Sequence, residues 1–388
     1  MNLTRRTAIK SGAGTLALGS LAGCLNDVAG GQGEFDSAYA AFFALWDWSQ
    51  AVAGDEATIE NPVDFGQLGH GWEPDGDLPR EVASTNAFVY LDTPEFSWAQ
   101  DLASTLETDY ESVAAIDALN GLESRMIESG HGHGHGHGHE DEHDNEGEEH
   151  HDETEGEHHD ETEGEHHDET EGEHHDETEG EHHDETEGEH HGGEEQYEDD
   201  HDGEGEHDRG QLDPHVWVDP VLAQEMVDTI ATGFAEIDPD NAETYEANAA
   251  TYNERLTELD TQFQTLVDDA ERSTVVLATH SSFAYVEARY DFDIHTVAGI
   301  SPDATPDSSE IAGTVDLVDE AGIDVILYDR FESDRLAETI VENSTATATA
   351  PVSAGAGTLR EWAANDWGFV DQMEQVTLPA FRRALGVE

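Results

Sequence analysis

The sequence predicts an α/β protein of two lobes. Each is a parallel β-sheet flanked by helices, one long rigid α-helix joins them, and a disordered His/acid-rich loop interrupts the first. Three observations predict this. Short apolar runs of strand length alternate with helical stripes, as in βα units that build parallel sheets. Tyr245, Tyr252, Leu256, Leu259, Phe263 and Leu266 are spaced 7, 4, 3, 4 and 3, which predicts a helical stripe. Such a helix, about 30 residues long, spans roughly 45 Å and can act as a strut. Residues 130–208 are His, Asp, Glu and Gly with almost no apolar side chain, so they can bury nothing and are expected to be disordered.

In chain order, residues 38–53 read as a strand running into a helix that ends at Gly54-Asp55, and 57–63 as a second strand. Residues 66–74 are a glycine-flanked loop around His70, where the backbone is free and the imidazole uncrowded. Residues 78–84 suggest a helical turn, and 87–91 a continuous apolar run of the kind found in buried parallel strands. Residues 98–105 are helical in pattern, 113–116 a strand, and 119–127 a turn of helix or loop. After the tract, 220–237 form an amphipathic helix. Asp238-Pro239 then offers an N-cap and a first-position proline for the long helix. Residues 274–279 are a buried-strand run, followed by a helix opening at 281–286 and an alternating stretch at 293–297. The remaining elements are a Pro/Asp loop at 299–309, a helix at 310–321, a strand at 325–328, a helix at 335–343, a β-prone run at 347–352 and a closing helix at 369–385. The organisation expected is a leader at 1–23, a tether at 24–34, a first lobe at 35–129 and 209–238, the loop at 130–208, a linking helix at 239–270 and a second lobe at 271–388.

The formal net charge is −78, with 92 acidic residues against 14 Lys and Arg, and the one lysine is Lys10. Of the acidic residues, 36 lie in the tract, so the folded part is itself strongly acidic. Such a surface repels nucleic acid and anionic lipid. Near-absence of Lys with abundant Asp and Glu resembles the proteins of salt-loving organisms, so a salt-adapted, halophilic protein is expected. At about 1 M salt the Debye length is roughly 3 Å, and the carboxylates are screened from one another.

Arg5-Arg6 precede an apolar stretch that ends in Leu21-Ala22-Gly23-Cys24. Twin arginines before such a stretch are the address of a folded-protein export route. A small-residue run ending in cysteine is the cleavage site of a lipoprotein peptidase. The stretch is too short and too rich in Gly and Ala to span a bilayer. Export, cleavage before Cys24 and lipidation of that thiol are expected, leaving the protein on the extracellular face of the membrane. Cys24 is the one cysteine, so no disulfide framework and no cysteine-based zinc site can form.

Of 24 histidines, 20 lie in the tract. Gly-His alternates through His131, His133, His135, His137 and His139. His-His-Asp-Glu-Thr-Glu-Gly-Glu then repeats five times, beginning with His150, His151, His158 and His159. Imidazoles of ordinary pKa, near 6.5, are mostly unprotonated at neutral pH and bind Zn, Ni or Cu, and the carboxylates beside them raise the local cation concentration. The tract is expected to be an auxiliary, low-affinity metal collector.

The other four histidines are His70, His215, His280 and His295. His215 sits between two Asp-Pro turns in Asp213-Pro214-His215-Val216-Trp217-Val218-Asp219-Pro220, where the prolines stop regular structure from running through. His280 directly follows the 274–279 run, and ligands of open α/β sheets sit at the carboxyl ends of strands. His70, His215 and His280 are expected to converge on one divalent metal, with Trp72 and Trp217 walling it. His295 is read as a structural or surface residue.

These motifs resemble the zinc-binding lipoproteins of the metal-specific (cluster A-I, ZnuA-like) class of ABC-transporter substrate-binding proteins, here of a haloarchaeal type. The residues that carry the likeness are Gly66 to Pro74 around His70, Asp213 to Pro220 around His215, and Thr279-His280 with Phe283 and Tyr285; Ala298 to Asp303 also match. The resemblance implies two α/β lobes with Zn2+ held between them, delivery to an ABC permease and its ATPase, and a lipid-anchored monomer that is not an enzyme. Manganese members usually place a carboxylate third; His280 stands there, which makes Mn2+ a lesser candidate, and manganese, nickel and copper are the runner-up cargoes. Family members often add an acid from a late loop, but 351–359 contain none, and Gly69 stands where some zinc members have an acid. The fourth position is left to water or an acid such as Glu361. Two rivals are a metal buffer or storage protein acting through the tract and a zinc hydrolase; the second lacks a His-Glu-x-x-His motif.

Overall fold

The computed structural model describes residues 35–110, 112–128, 212–299 and 306–387. Two four-stranded parallel sheets organise them. The first is built from β1 (Ser37–Ala40), β2 (Thr58–Glu60), β3 (Ala87–Tyr90) and β4 (Ala114–Asp117) in the order β2-β1-β3-β4. It is interleaved with α1 (Phe43–Ala53), α2 (Leu78–Val82) and α3 (Ser97–Asp109), and α4 (Pro220–Ile237) packs on it after the tract. After α5 (Ala242–Asp268), the second sheet repeats the plan as β6-β5-β7-β8. Its strands are β5 (Thr274–Leu277), β6 (Asp293–Thr296), β7 (Val325–Asp329) and β8 (Ala348–Val352). Between and after them come α6 (Ala284–Tyr290), α7 (Ser308–Ala321), α8 (Arg335–Asn343), α9 (Arg360–Ala364), α10 (Phe369–Gln372) and α11 (Leu378–Ala384).

The strands are where apolar runs demanded them. Ala87, Phe88 and Val89 of β3 are fully buried, as are Ile326 and Leu327 of β7. That is the pattern of strands covered on both faces. On α5, Tyr245, Ala249, Tyr252, Leu256, Leu259, Phe263 and Leu266 are buried, on a stripe that faces α4 and α1. Burying each large side chain of such a stripe stabilises by roughly 1.5–3 kcal/mol. The Tyr252 hydroxyl donates to Asp47 Oδ2 at 2.6 Å, and the Phe369 amide donates to the same oxygen at 2.9 Å. Asp47 of α1 therefore ties the strut to α10. Burial pushes the Asp47 carboxyl pKa up, and these two donors oppose the shift.

Two local expectations are corrected. Asp238 does not cap the long helix. Its carboxylate accepts from the Tyr245 hydroxyl and the Asn241 side chain, both at 2.8 Å, and Pro239–Asn241 form a 3-10 turn before α5 begins at Ala242. The 3-10 turn sets Asp238 one turn ahead of the first α-helical residue, and its side chain accepts no helix amide. The closing helix is not uniform either: Met373–Thr377 is a π turn between α10 and α11. Pro379 has no amide to give, and a helix widens where its ladder loses a donor. Asp219, in contrast, caps α4 by accepting from the amides of Val221 and Leu222.

Candidate metal centre

Each of the three motif histidines sits beyond the carboxyl end of a sheet or on a stiff turn beside it. His70 lies on the loop after β2. Gly69 before it has no room for a side chain: a Cβ there would stand 2.4 Å from Phe42 Cβ and 3.1 Å from the Phe96 ring. An acid in that position is sterically excluded, which explains its absence. The Trp98 indole donates to the Gly69 carbonyl at 3.1 Å and holds the loop down. His215 opens the 3-10 turn Val216–Val218, and its amide donates to Asp213 Oδ1 at 2.8 Å. His280 lies beyond β5, where Thr279 Oγ1 accepts from the Asp329 amide at 3.0 Å and laces this end of β5 to the end of β7.

The three rings meet. Their centroids are 5.5 Å apart for His70 and His215, 5.1 Å for His70 and His280, and 5.3 Å for His215 and His280. One ligand nitrogen from each lies within 4.8 Å of the other two. The three residues are 7%, 1% and 1% exposed. Their Nε2 atoms are buried and have no hydrogen-bond partner. Three orphaned nitrogens aimed at one another need an occupant, because a buried polar atom left unpaired is costly. Tetrahedral nitrogens at about 2.0–2.1 Å from a zinc ion stand about 3.4 Å apart, so a small contraction brings all three into bonding reach.

Two carboxylates hold the opposite edges of two rings. His215 Nδ1 donates to Asp213 Oδ1 at 2.9 Å, and His280 Nδ1 donates to Glu332 Oε1. A proton on Nδ1 leaves the Nε2 lone pair free. Burial, and then the neighbouring His215 and His280, push the His70 pKa down to about 2. Burial lowers that of His215 too, although Asp213 opposes it. Both rings are thus kept neutral and ready to bind a cation. Burial raises the Asp329 carboxyl to about 6, and His280 opposes the rise.

Trp217 walls the centre. Its ring is 5.1 Å from that of His215 and 4.9 Å from Phe42, and its indole donates to the Ala354 carbonyl at 2.7 Å. Trp72 does not: it packs edge-on against Trp98 and donates to Gln67, supporting the His70 loop from outside. His295 stands apart, bonded to Thr314 Oγ1 at 2.9 Å. Glu361 is exposed on the first turn of α9 and is not one of the clustered residues. The tract histidines from His131 to His159 and Cys24 lie outside the described residues.

Glu332 was missed by sequence reasoning. The signal was available: it follows β7 as His280 follows β5, at a strand's carboxyl end.

The lobes meet around the centre. The Gly66 amide donates to the Thr358 carbonyl at 2.8 Å, and the Tyr285 hydroxyl donates to the Asp213 carbonyl at 2.7 Å. At Gly357 a Cβ would stand 2.3 Å from the Gln67 carbonyl oxygen, so the two backbones touch where only glycine fits.

The family model for the zinc-uptake complex component A, periplasmic, matches residues 39–377. A stretch covering 46% of the chain is 32% identical to the high-affinity zinc uptake system protein ZnuA of Bacillus subtilis (strain 168), over 54% of that protein. A longer stretch, 77% of the chain, is 25% identical to the zinc-binding lipoprotein AdcA of Streptococcus pneumoniae (strain ATCC BAA-255 / R6), over 46% of its length. The chain thus spans about half the length of these curated relatives. Among solved structures, the Zn(II)-bound ZnuA-like domain of Streptococcus pneumoniae AdcA superposes with a TM-score of 0.61 at 21% identity, covering 91% of this chain and 99% of that one. That likeness establishes the shared two-lobed fold.

Proposed function

Because the chain belongs to the zinc-uptake complex component A family, we propose that it is the extracellular substrate-binding protein of a zinc ABC transporter. His70 and His215 from the first lobe and His280 from the second take up Zn2+ between the lobes, and the loaded protein hands the ion to a membrane permease driven by its ATPase. The family is one of substrate-binding transport proteins, not of enzymes. The observation that carries the assignment is the set of three buried, unpartnered Nε2 atoms drawn together from both lobes. Three imidazoles suit zinc, which favours nitrogen and a tetrahedral shell; manganese prefers oxygen. Twin-arginine export, a lipid on Cys24, a monomeric state and a salt-adapted, haloarchaeal surface complete the reading.

The rival is a metal buffer whose capacity lies in the tract, favoured by its 20 histidines. Metal content and competition binding, measured in high salt on protein lacking 130–208, separate the two. Transport requires one tightly held Zn2+ to remain. A deleted protein with no stoichiometric metal would leave the tract as the metal-binding part and overturn the assignment.

Acid separates the two kinds of histidine in the whole chain. Burial holds the His70 and His215 imidazoles below the ordinary range, whereas tract imidazoles of ordinary pKa charge below about 6.5. As pH falls from 7.5 to 5.5, the chain is expected to release its weakly held zinc and retain one equivalent. Zinc counted after equilibrium dialysis across this range checks it; loss of the last equivalent with a midpoint near 6.5 contradicts it.

A further inference from the structure

We infer that Glu332 is the positioning residue of the second lobe's ligand, fixing His280 with its Nε2 toward the metal and supplying the negative charge on that side of the centre. This rests on the three-histidine reading above. The His280 side chain is 2% exposed and that of Glu332 16% exposed, and the two are hydrogen-bonded through Nδ1 and Oε1. With the proton of Nδ1 given to a carboxylate, the ring can neither flip nor change tautomer without leaving a buried group unpaired.

The backbone that carries the carboxylate is itself held. The Glu332 amide donates to the Asp329 carbonyl at 3.1 Å, and the Phe331 amide donates to Asp329 Oδ1 at 2.8 Å, closing a tight turn at the end of β7. The Asp329 amide is bonded to Thr279, the residue before His280. Phe331 packs edge-on against Trp362 at 5.7 Å. Neighbouring strands β5 and β7 therefore deliver the histidine and its carboxylate as one unit.

The first lobe repeats the device with different covalent means. There Asp213 holds His215 from two residues away; here the partners are 52 residues apart. For His70, the third ligand, the groups that act on the ring are His215 and His280, with no carboxylate among them. A dication among three neutral imidazoles thus meets one carboxylate from each lobe, beyond the ligand nitrogens. No acid in direct contact with the metal is needed to offset its charge, which fits the lack of an acid at 351–359.

The test uses the full chain, Glu332→Gln, Glu332→Ala and His280→Ala, with the tightest Zn2+ equivalent read by competition against a chelator that strips the tract. Glu332→Ala is expected to weaken that equivalent about 10–100-fold, and Glu332→Gln, which still accepts from Nδ1, to weaken it less. The Co2+-loaded proteins report the ligand set: both Glu332 variants should keep the wild-type visible absorption, because no bond to the metal is removed. Wild-type affinity in both Glu332 variants, with metal lost in His280→Ala, overturns the role of Glu332 and leaves the three-histidine site standing. A changed Co2+ spectrum in Glu332→Gln makes Glu332 a direct ligand and also overturns it. Tight zinc retained in His280→Ala overturns the three-histidine reading itself.

Discussion

Replacing His215 or His280 by alanine removes the tight zinc equivalent while the protein stays folded. Structural zinc sites bind with apparent energies of about 10–16 kcal/mol shared among four ligands, so one imidazole contributes about 3–4 kcal/mol, or two to three decades in affinity. The loss is not confined to the missing bond. In His280→Ala the Glu332 carboxylate keeps its partly buried place without its partner, and in His215→Ala the side chain of Asp213 retains only the backbone amide. His295→Ala is the control: it lies on β6, bonded to Thr314 and away from the cluster, and should leave zinc affinity unchanged. Chelator competition checks all three, with circular dichroism confirming the fold. Unaltered affinity in His215→Ala would place the tight site elsewhere.

Trp217→Ala is expected to carry the largest cost in stability, about 3–5 kcal/mol. The ring is completely buried and packs against Phe42, Phe96 and His215. Its loss opens a cavity under the metal centre and leaves the Ala354 carbonyl without the indole that now donates to it at 2.7 Å. At roughly 2–4 °C per kcal/mol for a domain of this order of size, the melting temperature should fall by roughly 6 °C or more. Trp217→Phe keeps most of the packing and loses the donor, so it should fall between. Thermal unfolding in molar salt, with and without Zn2+, checks the series. A variant as stable as wild type would mean that the first lobe does not depend on this ring.

The central strands β3, β5 and β7 were legible because they are nearly unbroken apolar runs, and α5 because its stripe keeps helical spacing from Tyr245 to Leu266. The three histidines were legible because each stands in a stiff, glycine- or proline-marked context or directly after a strand. What escaped depends on neighbours that are distant in sequence. The bond between His280 and Glu332 requires knowing that β5 lies beside β7, and strand order is not written in any local pattern. Asp238 looked like a helix cap because its sequence context is right for one; only the position of the Tyr245 hydroxyl reveals its other use. Trp72 is near His70 in sequence, but the loop turns its ring toward Trp98.

The bonds that cross between the lobes have a mechanical meaning. Gly66 to Thr358, Trp217 to Ala354 and Asp213 to Tyr285 lie around the three histidines, and all are formed while the histidine nitrogens face one another. The three bonds hold His215 and its Asp213 partner against the second lobe, so parting the lobes and separating the histidine nitrogens are one event. A change that weakens the seam is thereby a change in the geometry of the cluster, even at residues that touch none of the three rings.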